Sequence, residues 1–132
     1  MDKAPLILLV DDEPSFLEIL SIKLNTVGFR VEVAANGSIG VRRAKELKPD
    51  LVLMDVQMPV KSGVEALAEL RNDPETKDLK VVFLTSLGDS RPNALDTDAK
   101  FAHELGATGY LRKTDDLDNI VAHINEYLGI KA

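Results

Sequence analysis

Short, unbroken apolar runs punctuate the chain, and the strongest of them end in polar residues. Residues 6–10 (LILLV) run into Asp11-Asp12-Glu13, residues 51–54 (LVLM) into Asp55, and residues 81–84 (VVFL) into Thr85-Ser86. Runs of this length without polar alternation suit strands covered on both faces. Residues 31–35 and 109–111 read as shorter strands, which brings the expected number to five. Between the runs the spacing changes to a helical period: Phe16, Ile19, Leu20 and Leu24; then Val41, Ala44 and Leu47; then Val64, Leu67 and Leu70. The polar, turn-rich stretch 87–97 (LGDSRPNALDT) predicts a long loop before a fourth helix. The fifth helix is the plainest. Leu117, Ile120, Val121, Ile124 and Leu128 form one stripe, Asp115, Asp116 and Asp118 lie near the positive end of its dipole, and Thr114 stands where a cap is expected. Strand and helix alternate throughout, which predicts an α/β fold: a doubly wound, five-stranded parallel sheet with five helices over its two faces. In such a sheet the functional crevice lies beyond the carboxyl ends of the strands, where the acids after the first and third strands would meet.

Composition narrows the chemistry that this crevice can perform. A chain of 132 residues is expected to form one domain spanning 1–132. Its 45% apolar content is broken into short runs, so no membrane span is expected, and the N-terminus lacks the anatomy of a signal peptide. A cytoplasmic location is the expectation. The absence of cysteine excludes disulfides, thiolate metal sites and thiol catalysis, so any metal must be held by oxygen or histidine. With 22 acidic against 16 basic residues, the surface should repel nucleic-acid backbones and anionic lipid.

Taken singly, each polar residue at the strand ends has an ordinary structural use. Asp11, Asp12 and Glu13 precede Pro14 at a helix start and would suit its dipole. Asp55 could close a turn, Thr85 and Ser86 could bond their local backbone, and Lys113 could be a solvated surface cation. Their convergence on one sheet edge changes this reading. Carboxylates gathered within about 4 Å repel by about 4 kcal/mol per pair at an effective dielectric near 20, so they must protonate or take up a cation. Hard oxygen donors in an open crevice suit Mg²⁺, which commonly completes its shell with a phosphoryl group. A carboxylate nucleophile, a metal site, a hydroxyl and an ammonium together are the set an aspartyl-phosphate mechanism needs. His103 and His123 have no partner nearby in sequence and are assigned no role.

Four ordered segments from about Leu6 to Leu128 resemble the receiver domain of two-component response regulators, including the chemotaxis-type single-domain members. These are ILLVDDE, DVQMPVKSG (55–63, a D-x-x-M-P-x-x-x-G pattern), FLTS and GYLRK. The resemblance implies a flavodoxin-like strand order 2-1-3-4-5. It implies Asp55 as phospho-acceptor, Asp12 as the direct carboxylate ligand of Mg²⁺, Asp11 acting through a metal-bound water, and Gln57 contributing its backbone carbonyl. Thr85 and Lys113 would each contact a phosphoryl oxygen, and the small Ser86 would leave the entrance open. Thr85 and Tyr110 would form a switch that alters the face made by the fourth helix, fifth strand and fifth helix, although Tyr110 is otherwise an ordinary strand aromatic. The implied donor is a phosphohistidine on a sensor histidine kinase or phosphotransfer protein. The implied output is a protein partner or a homodimer, and the acidic charge balance sets the expectation of no direct contact with nucleic acid or membrane. Such a protein is no general enzyme, since it catalyses only its own phosphorylation and dephosphorylation.

Two departures stand out. The family usually has proline after the last-strand lysine, in a cis bond, whereas Thr114 follows Lys113 here. A cis bond before a non-proline residue costs about 2.5–4 kcal/mol, so Lys113–Thr114 is expected to be trans. The separation of Thr85 from Tyr110 also exceeds the usual one, with the excess assigned to 87–97 as a partner contact, a lid or a tolerated surface insertion. Three rivals remain: a receiver-like interaction module that is not phosphorylated, a flavodoxin-like cofactor protein, and a phosphatase with a strand-end aspartate. DDEPSF after the first strand lacks the glycines and hydroxyls a phosphate loop needs, and no second acid follows a first-strand nucleophile as the phosphatase requires.

Overall fold

Apolar runs covered on both sides build the centre of the molecule. The computed structural model describes residues 4–58, 60–85 and 103–130. Its strands are β1 (Leu6–Val10), β2 (Arg30–Ala34), β3 (Leu51–Asp55), β4 (Val81–Thr85) and β5 (Gly109–Arg112). All pair in parallel in the order β2-β1-β3-β4-β5, with Val10 opposite Met54, Asp55 opposite Leu84 and Thr85 opposite Arg112. This is the expected doubly wound order. The second strand starts and ends one residue earlier than expected, because Leu6 to Val10 pair with Arg30 to Ala34 and leave Ala35 beyond the sheet. Asp55 and Thr85 are themselves the last residues of their strands.

Four helices are seen among the described residues: α1 (Pro14–Thr26), α2 (Gly37–Leu47), α3 (Gly63–Asn72) and α4 (Leu117–Leu128), the last being the one expected as the fifth. Ser86, the 87–97 stretch and most of the expected fourth helix lie outside the described residues. The two-residue period of the strands sorts the core into two layers. Leu8, Val10, Val52, Met54, Val81 and Phe83 pack against Ala44 of α2 and Ala66, Leu67 and Leu70 of α3. Ile7, Leu9, Leu51, Leu53, Val82 and Leu84 pack against Leu20 and Leu24 of α1 and Ile120 and Ile124 of α4. No helix among the described residues is long and apolar enough to cross a membrane.

Helix starts are set by short polar side chains. Asn36 accepts a hydrogen bond from the Ile39 N–H at 2.9 Å, and Ser62 and Glu65 form a reciprocal capping box at α3. The expected cap of α4 is corrected: Asp116, not Thr114, accepts from Asp118 N–H at 2.8 Å. Thr114 is consumed by a turn that Asp115 N–H closes onto the Arg112 carbonyl at 3.2 Å. No cis peptide bond occurs among the described residues, so Lys113–Thr114 is trans as expected. Replacing Asn36 by alanine removes a cap and should lower stability by about 1 kcal/mol, read as a lower urea midpoint at unchanged slope.

Candidate functional site

The carboxyl ends of β1, β3, β4 and the residue after β5 deliver a polar cluster to one edge of the sheet. Asp11 leaves β1 fully buried, with its N–H donating to the Ala34 carbonyl at 3.1 Å and its Oδ1 accepting from Glu13 N–H at 2.8 Å. Asp55 is 4% exposed, and its Oδ1 accepts from Gln57 N–H at 3.1 Å. Asp12 is exposed at the mouth. One carboxylate oxygen from each of Asp11, Asp12 and Asp55 lies within 4.8 Å of the others.

Lys113 follows β5, tied to β4 by its N–H donating to the Thr85 carbonyl at 2.9 Å. Its ammonium reaches Asp11 Oδ2 at 2.8 Å, Glu13 Oε1 at 2.5 Å and Asp55 Oδ2 at 3.5 Å, and lies 4.6 Å from the centre of the Phe16 ring. Thr85 is buried beside these groups at its strand end. Tyr110 is half-buried on β5 opposite Phe83, against the α2 and α3 layer. The sheet thus brings Asp11, Asp12, Asp55 and Lys113 together, and Thr85 ends the strand between Asp55 and Lys113. His123 Nδ1 instead faces Glu126 at 3.7 Å, and His103 is exposed.

Burial, followed by the charge of Asp11, pushes the Asp55 carboxyl above the usual aspartate range, against the opposing pull of Gln57 N–H and Lys113. Burial disfavours the charge on Lys113 too, but Asp11, Glu13 and Asp55 outweigh it and hold the ammonium well above the ordinary lysine range. Three carboxylates therefore meet one ammonium, and Asp12 adds a further negative charge at the mouth, which leaves the cluster short of positive charge. Asp11 Oδ2 is fully buried and has no donor aligned for a hydrogen bond, even though Lys113 Nζ lies 2.8 Å away. A buried, under-satisfied carboxylate oxygen beside two further carboxylates fits a small hard divalent cation.

Three features escaped sequence reasoning. Glu13 was visible in the acidic run, but its contact with Lys113 spans 100 positions. Phe16 looked like one more core residue of a helical stripe. Gly63 was matched as part of a motif without a reason: a Cβ there would stand 2.4 Å from the Asp55 carbonyl oxygen and 2.9 Å from Val56 Cα. Its N–H also donates to the Val56 carbonyl at 2.9 Å, drawing α3 directly against the strand that carries Asp55.

Residues 7–125 match the family model described as the response regulator receiver domain. Protein PilH of Pseudomonas aeruginosa is 36% identical over 92% of this chain and 96% of its own length. The DNA-binding dual master transcriptional regulator RpaA of Synechocystis is 33% identical over 94% of the chain, which spans only 49% of that regulator. Among solved structures, a response regulator from Chloroflexus aurantiacus superposes with a TM-score of 0.84 at 28% identity, covering 96% of this chain and 99% of that one. The receiver domain of the sensor histidine kinase PA1611 from Pseudomonas aeruginosa, solved with a magnesium ion coordinated in its active site cleft, gives 0.81 at 28% identity, covering 96% and 98%.

Proposed function

The chain belongs to the response-regulator receiver family, and on that premise we propose that it forms a single receiver domain over 1–132 in which Asp55 accepts a phosphoryl group. The observation that supports this reading is the placement of Asp55, nearly buried at a strand end, beside two carboxylates within 4.8 Å and an ammonium at 3.5 Å. A carboxylate oxygen of Asp55 attacks the phosphorus of a phosphohistidine on a sensor kinase or phosphotransfer protein. The phosphorus–nitrogen bond breaks, its electron pair stays on the imidazole, and Asp55 carries an acyl phosphate. Water later attacks that phosphorus, which restores the carboxylate and releases inorganic phosphate.

Asp12 would hold Mg²⁺ directly, with Asp11 through a water, Asp55 and the Gln57 backbone carbonyl completing the protein's share. When bound, the ion neutralises charge on the phosphoryl oxygens. Lys113 pairs with one phosphoryl oxygen and the Thr85 hydroxyl donates to another. Drawing Thr85 toward the phosphate lets Tyr110 turn inward, which alters the face that includes β5 and α4. That face then meets a downstream protein or a second copy in the cytoplasm.

Incubation with acetyl phosphate and Mg²⁺ should add one phosphoryl group by intact mass. Chelating the metal with EDTA should slow the addition by at least about a hundredfold, since the repulsion among the carboxylates then stands uncompensated. A chain that stays unmodified under these conditions would instead be a receiver-like interaction module that binds its partner without phosphorylation.

A further inference from the structure

The nearest partner of Lys113 is a carboxylate outside the reaction described above. Its ammonium lies 2.5 Å from Glu13, closer than to Asp11 at 2.8 Å or Asp55 at 3.5 Å. The Phe16 ring lies 4.6 Å away, so the ammonium is held toward the first turn of α1. Asp11 and Asp55 are both fixed, each by a backbone N–H two residues on. Glu13 differs: its side chain is 54% exposed, whereas that of Lys113 is 5% exposed. It can therefore turn into water on releasing the lysine without stranding a buried charge, which neither aspartate can do.

We propose that Glu13 is a positioning residue that competes with the phosphoryl group for Lys113, holding the ammonium on the α1 side until a phosphoryl oxygen displaces it. The inference rests on Asp55 being the phospho-acceptor. Molecules whose lysine is held by Glu13 bind a phosphoryl donor less well, so the apparent affinity falls with the fraction held. A half-exposed ion pair corresponds to roughly a two- to fivefold effect.

The test compares wild type, Glu13→Gln, Glu13→Asp, Lys113→Met and the double variant Glu13→Gln/Lys113→Met in the presence of Mg²⁺. Two quantities are read: the acetyl phosphate concentration giving half-maximal phosphorylation, and the dissociation constant of beryllofluoride, which needs no turnover. Glu13→Gln should lower both by about two- to fivefold, with the maximal rate changed less. Glu13→Asp keeps the charge but is one methylene shorter, and it should shift both in the same direction. In the Lys113→Met background the glutamine should leave beryllofluoride affinity unchanged. An effect that persists without the lysine, or that the aspartate fails to reproduce, would reduce Glu13 to a long-range charge and overturn the proposal. Wild type that is phosphorylated, with a Glu13→Gln variant identical to it, overturns this inference alone. Wild type that takes up neither a phosphoryl group nor beryllofluoride overturns it together with the role of Asp55.

Discussion

Asparagine at position 55 should abolish phosphoryl uptake and, at the same time, stabilise the metal-free fold. The first effect removes the nucleophile: an amide oxygen cannot form the acyl phosphate, and loss of such a group costs on the order of 10³-fold or more in rate. The second follows from the electrostatics. At an effective dielectric near 20, each neighbouring carboxylate within 4.8 Å repels Asp55 by about 3 kcal/mol or more, while Lys113 at 3.5 Å attracts it by about 5 kcal/mol. Burial adds to this repulsion and, against the pull of Gln57 N–H and Lys113, leaves the carboxyl above the usual aspartate range. The neutral amide should therefore raise the unfolding temperature by about 4 °C, corresponding to about 1 kcal/mol.

The pH dependence has a definite sign. A carboxyl whose folded pKa is raised destabilises the fold when ionised. Its cost is complete above the folded pKa and absent below the ordinary value of 3.8. The advantage of Asp55→Asn should then shrink as pH falls through that window. Mg²⁺ should reverse the ranking by stabilising wild type more than the variant. Calorimetric scans at several pH values, with and without Mg²⁺, check both statements. Equal melting of the two proteins in all conditions would show that the cluster carries no net repulsion.

Alanine at Gly63 should combine a loss of stability with a loss of phosphorylation rate. The added Cβ would stand 2.4 Å from the Asp55 carbonyl oxygen, 2.9 Å from Val56 Cα and 3.2 Å from the Asp55 carbonyl carbon. All three are backbone atoms, so no side chain can rotate away. Either α3 retreats, weakening the Gly63 N–H bond to the Val56 carbonyl, or the end of β3 moves. Overpacking of this kind costs about 1–3 kcal/mol. Because the displaced backbone carries Asp55 and leads into Gln57, the rate of phosphorylation should fall by about ten- to a hundredfold. Urea denaturation and acetyl phosphate kinetics on the same protein separate the two effects. A variant that loses stability but keeps its rate would mean that α3 alone yields.

Which parts of this arrangement the sequence made legible depends on the range of the interaction that fixes each one. β1, β3 and β4 are buried on both faces, so their unbroken apolar runs announce them, and Asp11, Asp55 and Thr85 can be placed at one sheet edge from those runs alone. The start of β2 is set by register against β1, a pairing between distant segments, and the apolar pattern misplaced it by one residue. The cap of α4 moved from Thr114 to Asp116 because the turn after Lys113 uses up Thr114, leaving Asp116 as the next polar residue able to reach Asp118 N–H. The hold of Glu13 and Phe16 on Lys113 exists only once β1 and β5 are assembled around β3 and β4. No local spacing encodes it. Gly63 was visible as a letter in a motif, but the reason for it is a backbone approach that only coordinates reveal.

The location of the acyl phosphate tests the central claim most directly. Borohydride reduction of the chain treated with acetyl phosphate and Mg²⁺ converts a phosphorylated aspartate to homoserine, and peptide mass mapping then locates it. Homoserine at position 55, dependent on Mg²⁺, is the predicted result. Homoserine at Asp11 or Asp12 instead, or none anywhere in the chain, would contradict the account.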